Sequence, residues 1–364
     1  MRKRARSAAA PGREPIARVA FAERACICAA AVMGALALAA CMASEGHGRV
    51  TLEPDFVLDG SGSDVDSIAF WEAPAAADTL LLVTAKGNQR VEVWRFPFAG
   101  HEQPPLRHAS FGSGTQVNGI AVDQATDRLY VAVSRPASTV AVFSLPELRF
   151  AGTLDAALGD LGSEPNLALL RRPDGASWLY VSADDRVGIL DAQTGAAIGR
   201  FEPVAGLETM VADDRAQRLY IPDEGGRSGV YAYEATGAPA SRDGAGRFGA
   251  GVFDSDAEGI VLYRCATGAA GDDGRGFFVV ADQRTDRTEF ELFDRRGGRH
   301  LGSFELAGVS NTDGIGSTQR PLPGHPQGLF AAIDDDTATV GIGWHRILAA
   351  TGLGCGEPDA APEP

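Results

Sequence analysis

Carboxylates placed just ahead of apolar strands are the residues of this chain best suited to chemistry. Asp256-Ala257-Glu258-Gly259-Ile260 is the fullest case, and Gly206-Leu207-Glu208-Thr209-Met210 and Asn311-Thr312-Asp313-Gly314-Ile315 are weaker forms of it. Val117-Asn118-Gly119-Ile120 has the same shape with an amide in place of the acid. One acidic residue beside a glycine reads as a turn former, because its side chain bonds its own backbone and glycine accepts the bend. Several at equivalent positions read differently. If the strands they precede converge on one axis, the carboxylates would repel one another unless a cation lay between them, and clustered hard oxygens suit calcium. Asp256 and Glu258, two residues apart, face the same way in an extended chain and could reach one ion. Asp334-Asp335-Asp336 reads first as a solvated loop, with one side chain able to reach metal.

The elements that must position these residues repeat. From residue 64 onward, apolar strand triplets recur at about the 40–50-residue spacing of propeller blades. The first set is 67–71, 79–84 and 91–96, and the sixth is 314–316, 328–333 and 340–344. Asp127-Arg128-Leu129-Tyr130 and Gln217-Arg218-Leu219-Tyr220 show that the second and fourth sets are built alike. No run has the 3.6-residue period of a long amphipathic helix. The expected fold is all-β: a six-bladed β-propeller of four-stranded antiparallel blades, which leaves only short sheet edges. Residues 50–58 are left over before the first set and should supply the outer strand of the last blade, closing the ring. A linear solenoid would need capping repeats, and none stands out. The Gly-, Ala- and Asp-rich inserts at 235–255 and 266–275 read as surface loops.

Composition agrees with many short strands joined by turns: 45% of the residues are hydrophobic, with 45 Gly and 20 Pro. A net charge of -15 argues against broad binding to nucleic acid or anionic membrane. A phosphorylated small molecule stays open if a bound cation or a few local Lys and Arg reverse the field.

Residues 1–40 read as a leader, basic up to Arg24 and then apolar and uncharged from 25 to 40, too short for a membrane span. Leu38-Ala39-Ala40-Cys41 resembles the bacterial lipobox, so Cys41 is expected to become the lipidated first residue of a periplasmic or outer-membrane protein. An ordinary secretion signal is the alternative. Removing seven basic and two acidic side chains leaves a mature charge of -20. The expected divisions are a linker at 41–49, the propeller at 50–355 and a disordered tail at 356–364. Cys265 and Cys355 then remain, either as a disulfide suited to an oxidising compartment or as two buried thiols. A monomer, touching the membrane only through its lipid, is expected.

Longer stretches resemble a known family. Asp256 to Tyr263, then Val280-Ala281-Asp282-Gln283, then Phe290-Glu291-Leu292-Phe293-Asp294-Arg295 are similar to consecutive pieces of the β-propeller phytases. Asn311-Thr312-Asp313-Gly314-Ile315 and Gly328-Leu329-Phe330-Ala331-Ala332 continue the match in order, and Asp66-Ser67-Ile68-Ala69-Phe70-Trp71 resembles the family's opening strand. The resemblance implies a calcium-dependent propeller holding several ions and hydrolysing inositol hexakisphosphate or a related phosphate ester. A water activated at the metal would attack phosphorus, with no covalent nucleophile. It places Asp66, Glu208, Glu224, Asp256, Glu258, Gln283 and Asp313 on calcium positions, with Glu208, Asp256, Glu258 and Asp313 central to catalysis. Lys86 and Arg135 fall on phosphate-binding positions. The departures are Gly87 and Asp184 where the family has lysines, and Asn166 where it has a Tyr ligand. Arg172, Arg186 and Arg227 could make up the lost charge. Two other readings remain: a non-catalytic calcium-stabilised propeller that binds a ligand or partner, and a propeller lactonase or esterase built on Asn118, Asn166 and Asp313.

Overall fold

The computed structural model describes residues 49–355, except 60–61, 99, 102, 155–158, 205, 225–228, 241–245 and 267–270. Cys41, the leader, most of the linker, Arg227 and the tail at 356–364 therefore lie outside the described residues.

Six four-stranded antiparallel sheets form the blades of a propeller. Blade one is Val65–Trp71, Leu80–Ala85, Arg90–Arg95 and Arg107–Ser110, and blades two to four follow the same order along the chain. In each of the first five blades the earliest strand is innermost. The six inner strands touch their neighbours in ring order, with Ile315–Thr318 of blade six returning to Val65–Trp71 of blade one. Alternation of the strands puts apolar side chains on both blade faces, and these pack into six separate cores, one at each blade–blade interface. The repeated Leu-Tyr motif gains a reason here. Tyr130 and Tyr180 are buried on second strands and donate their hydroxyls to carbonyls of the next blade, Ala192 O at 2.9 Å and Ala235 O at 2.8 Å. In blades two and three these tyrosines bind a blade to its successor.

Residues 50–58 are divided between two blades rather than forming one outer strand. Phe56–Leu58 pairs antiparallel with Ala338–Gly343 as the outer strand of blade six, closing the ring as expected. Val50–Leu52 instead lies parallel to His300–Leu306 as a fifth strand on blade five. The division falls at Glu53-Pro54-Asp55, where proline cannot donate to a ladder and Asp55 turns to accept from Gly343 N at 2.7 Å. The insert at 235–255 is also not only loop. Arg247–Phe248 is the outer strand of blade four, and Phe248 and Phe253 are buried against Phe293 of blade five.

The last described element is a short helix, Trp344–Thr351, stopped by Gly352 in the left-handed conformation (φ 68°). Trp344 is buried, and its indole donates to Ser317 Oγ at 3.0 Å. Beyond the helix, Cys355 is bonded to Cys265 on the first loop of blade five, which decides the pairing left open by the sequence. No helix among the described residues is long and apolar enough to cross a membrane.

Candidate active site

Each blade brings its chemistry to one end of the ring, where first strands begin and second strands finish. The inner strands are irregular there. Pairing skips between Val65 and Ile68 in blade one, between Val117 and Ile120 in blade two, and between Ala257 and Ile260 in blade five. Asp66, Asn118 and Glu258 sit within these bulges, a device that re-aims a side chain out of the regular pleat. The acidic motif of blade five is thus inside the strand Asp256–Arg264, not in a turn ahead of it.

The glycines of the motif also change meaning. A Cβ on Gly314 would come 2.0 Å from the carbonyl oxygen of Asp66, and one on Gly259 would come 2.8 Å from that of Asp313. Each glycine lets its strand approach the backbone that carries the next blade's acid. Their positions serve convergence, not bending.

Three carboxylates meet most closely. Glu208, Glu224 and Glu258 each offer an oxygen within 4.8 Å of the others. Glu258 is buried and its Oε2 has no hydrogen-bond partner. Burial, then a hydrogen bond and charge from Glu208, then Glu224 and Asp313, push its pKa far above the ordinary carboxylate range. Burial also raises Glu224, helped by Glu208 and Asp256. Asp313 is raised by burial and by the charges of Asp336, Asp66 and Glu208. Gln283 donates its amide to Asp313 Oδ1. Asp256 is exposed and lies opposite Gln283 in the ladder, beside the trio rather than within it. A set of mutually repelling oxygens, graded from exposed Glu224 to buried Glu258 and left with an orphan acceptor at its buried end, fits a hard divalent cation.

On the blade-one side, Lys86 reaches into the acids. Its Nζ lies 3.0 Å from Asp66 Oδ1, 3.3 Å from Glu164 Oε1 and 3.5 Å from Asp64 Oδ1. Burial disfavours this charge, but the three carboxylates outweigh it and hold the amine protonated. Asp66, Asn118, Glu164, Asn166, Glu208 and Asp313 line a cavity of about 160 Å³ on the axis. Arg135 is exposed in a separate, wider groove of about 1030 Å³ that it shares with Asp160, Ser163 and Asp184. Arg172 does not compensate for lost cations: it lies over Trp178, past the far end of blade three's first strand. Arg186 is held by Asp185 and by the Asp160 carbonyl.

Residues missed by the sequence are Glu164 and Asp64. Of the triple-Asp run, Asp336 is the member beside the acids: its Oδ1 is buried without a partner and its charge raises Asp313. Its neighbour Asp334 is structural, accepting from Ser310 N at 3.0 Å. Glu164 had no strand motif to mark it. In a second buried acidic group, Asp282 and Glu289 are paired with Arg284 and Arg49, and Glu291 lies 2.5 Å from the His300 ring. Asn166 Oδ1 accepts from Leu167 N at 2.8 Å, and Asn118 Oδ1 accepts from Ser134 Oγ at 3.4 Å. Both amides line the axial cavity.

The model of the family described as Phytase matches residues 175–345, just under half of the chain. That half is phytase-like. It carries Glu208, Glu224, Asp256, Glu258, Gln283, Asp313 and Asp336, so the carboxylate trio lies wholly inside the matched region. A curated 3-phytase of Bacillus subtilis (strain 168) is 26% identical over 44% of this chain and 44% of its own length, so the match spans less than half of that relative. Lys86 and Arg135 lie ahead of the region matched by the phytase model. Among solved structures, BBS1N in complex with ARL6DN is similar over 75% of both chains at a TM-score of 0.47 and 12% identity.

Proposed function

We propose that this phytase-like propeller is a calcium-dependent phosphomonoester hydrolase acting on inositol hexakisphosphate or a related ester. The observation that carries the reading is the trio Glu208, Glu224 and Glu258, with the orphan oxygen of Glu258 buried among them. These three, with Asp256, Asp313, Gln283, Asp66 and Asp336 around them, would hold calcium. Bound there, calcium would supply charge neutralisation of phosphoryl oxygens and an activated water. The chain's own part is to fix that charge on the axis. Gln283 orients the Asp313 carboxylate, and the bulges keep the acids aimed inward. Lys86, held beside Asp66, and Arg135, exposed in the neighbouring groove, would orient the phosphate.

Phosphate release from a panel of phosphate esters, with calcium and with a chelator, tests the reading between pH 5 and 9. Release that requires calcium supports it, and none from any ester overturns it. A second reading, a calcium-stabilised binding propeller, is favoured by the engagement of Lys86 with three carboxylates. It expects calcium-dependent melting without turnover. We further propose that Cys41 anchors the protein by lipid on the periplasmic or outer membrane, so that Cys41→Ser should shift it from the membrane to the soluble fraction.

A further inference from the structure

We propose that the rim of this site selects phosphate esters of low charge, bearing one phosphate on an otherwise uncharged or cationic molecule, over multiply phosphorylated ones. The proposal rests on the hydrolase reading above and narrows its substrate class.

The first observation is steric. Gly87 N donates to Ser63 O at 3.1 Å and Lys86 N to Asp64 O at 2.7 Å, which lays the 62–64 loop across position 87. A Cβ on Gly87 would come 2.3 Å from Ser63 Oγ and 2.9 Å from Ser63 O. A second cation cannot stand beside Lys86 while this loop is in place. The same loop brings Asp64, half exposed, to the Lys86 amine. One lysine therefore serves Asp64, Asp66 and Glu164 before any substrate arrives.

The second observation is that the remaining acids are built in. Glu164 sits on a loop held by side-chain acceptors: Asp184 Oδ1 takes Ser163 N at 3.2 Å, Asp160 Oδ1 takes Gly162 N at 3.0 Å, and Ser138 Oγ takes Leu161 N at 2.9 Å. Gly162 is required beneath Asp184, because its φ is +76° and a Cβ there would come 1.9 Å from Asp184 Oδ1. Asp184 thus exchanges a phosphate-facing charge for a structural bond that presents Glu164. Glu164 is 48% exposed and lines the axial cavity, while Ser163, its neighbour in the chain, lines the Arg135 groove. On the two sides of this loop, Lys86 meets Asp64, Asp66 and Glu164, and Arg135 shares its groove with Asp160 and Asp184. Metal in the trio would attract one phosphate. Every further phosphate would then meet carboxylates, and like charges at this range repel.

The test is steady-state hydrolysis by the calcium-loaded full chain of glucose 6-phosphate, phosphoethanolamine, fructose 1,6-bisphosphate and inositol hexakisphosphate. The expected result is kcat/KM at least about 10-fold higher for the two singly phosphorylated esters at low ionic strength. Added salt should narrow the gap, because screening weakens repulsion between exposed charges. Glu164→Gln should lower KM for the bisphosphate by about 3- to 10-fold while changing KM for glucose 6-phosphate less. A preference for multiply phosphorylated esters, a salt-independent ratio, or a ratio unmoved by Glu164→Gln overturns the proposal. Absence of turnover on every ester overturns the hydrolase reading instead. Calorimetry with the same two sugar phosphates then decides the rim: tighter binding of the monophosphate supports the proposal, and tighter binding of the bisphosphate overturns it.

Discussion

Glu258 is the residue on which the metal reading turns. Its carboxyl is buried among Glu208, Glu224 and Asp313, so in the absence of a cation the folded state favours its protonated form. The sign of the stability effect follows. Between the ordinary carboxylate range and the raised folded value, the native state binds a proton that the unfolded chain has lost. Chelated protein should therefore lose stability as pH rises from about 4.5 through neutral. Saturating calcium should reverse that slope, since binding displaces the proton and neutralises the cluster. Melting temperature against pH, with chelator and with calcium, reads both slopes, and parallel curves would remove the trio as the calcium site. Glu258→Gln should remove most of the calcium-induced rise in melting temperature and cut activity more than about 100-fold. The same variant should raise the chelated protein's stability at neutral pH, because a neutral amide carries no cost of protonation at that pH. Residue types made this site legible: carboxylates recur before Gly-Ile in two blades. Glu164 and Asp336 were not legible in that way, because each reaches the axis from a loop whose course no local pattern dictates.

At the scale of elements, the inner strands join sequence pattern to site. An acid followed by glycine reads locally as a turn, and the structure instead shows bulged strands whose glycines admit a neighbouring backbone. The distinction is testable. Gly314→Ala keeps ordinary turn chemistry but would drive a Cβ to 2.0 Å from Asp66 O. It should destabilise the fold by about 1–3 kcal/mol or more, and weaken the calcium response through displaced Asp66. Urea unfolding midpoints with and without calcium measure the two effects. A neutral outcome would show that the strands can separate there at little cost. Outer strands were the least legible elements. Arg247–Phe248 is only two residues long and lies in a Gly-rich stretch, so its aromatic packing, not its pattern, makes it a strand.

At the scale of the whole propeller, the described residues form a ring that has to be closed, and segments from early and late in them close it. Leu58 is fully buried in the core between blades six and one, on the strand that completes blade six. Leu58→Ala should cost about 2–5 kcal/mol in denaturant unfolding. The Cys265–Cys355 bond, across a sequence separation of 90, ties the segment after the last helix back to blade five. Cys355→Ser should lower stability by about 2–4 kcal/mol, with calcium binding retained, since both cysteines lie away from the axis. Loss of calcium binding in that variant would instead mean that ring closure and metal site are one cooperative unit.

The sequence by itself determined the blades, because a period of two residues within strands and a repeat between them are local properties of the chain. It also determined the chemistry on offer: oxygen donors near the starts of inner strands, and few cations to balance them. Only the tertiary structure decided which donors meet. Residues 66, 164, 208, 258, 313 and 336 are brought to one end of the ring by its closure, and their mutual repulsion, burial and pairing with Lys86 exist only once the last blade docks on the first. The same closure decided that position 87 has no room for a side chain and that Asp184 supports a loop instead of facing a phosphate. Those are contacts between distant segments, and no local pattern encodes them.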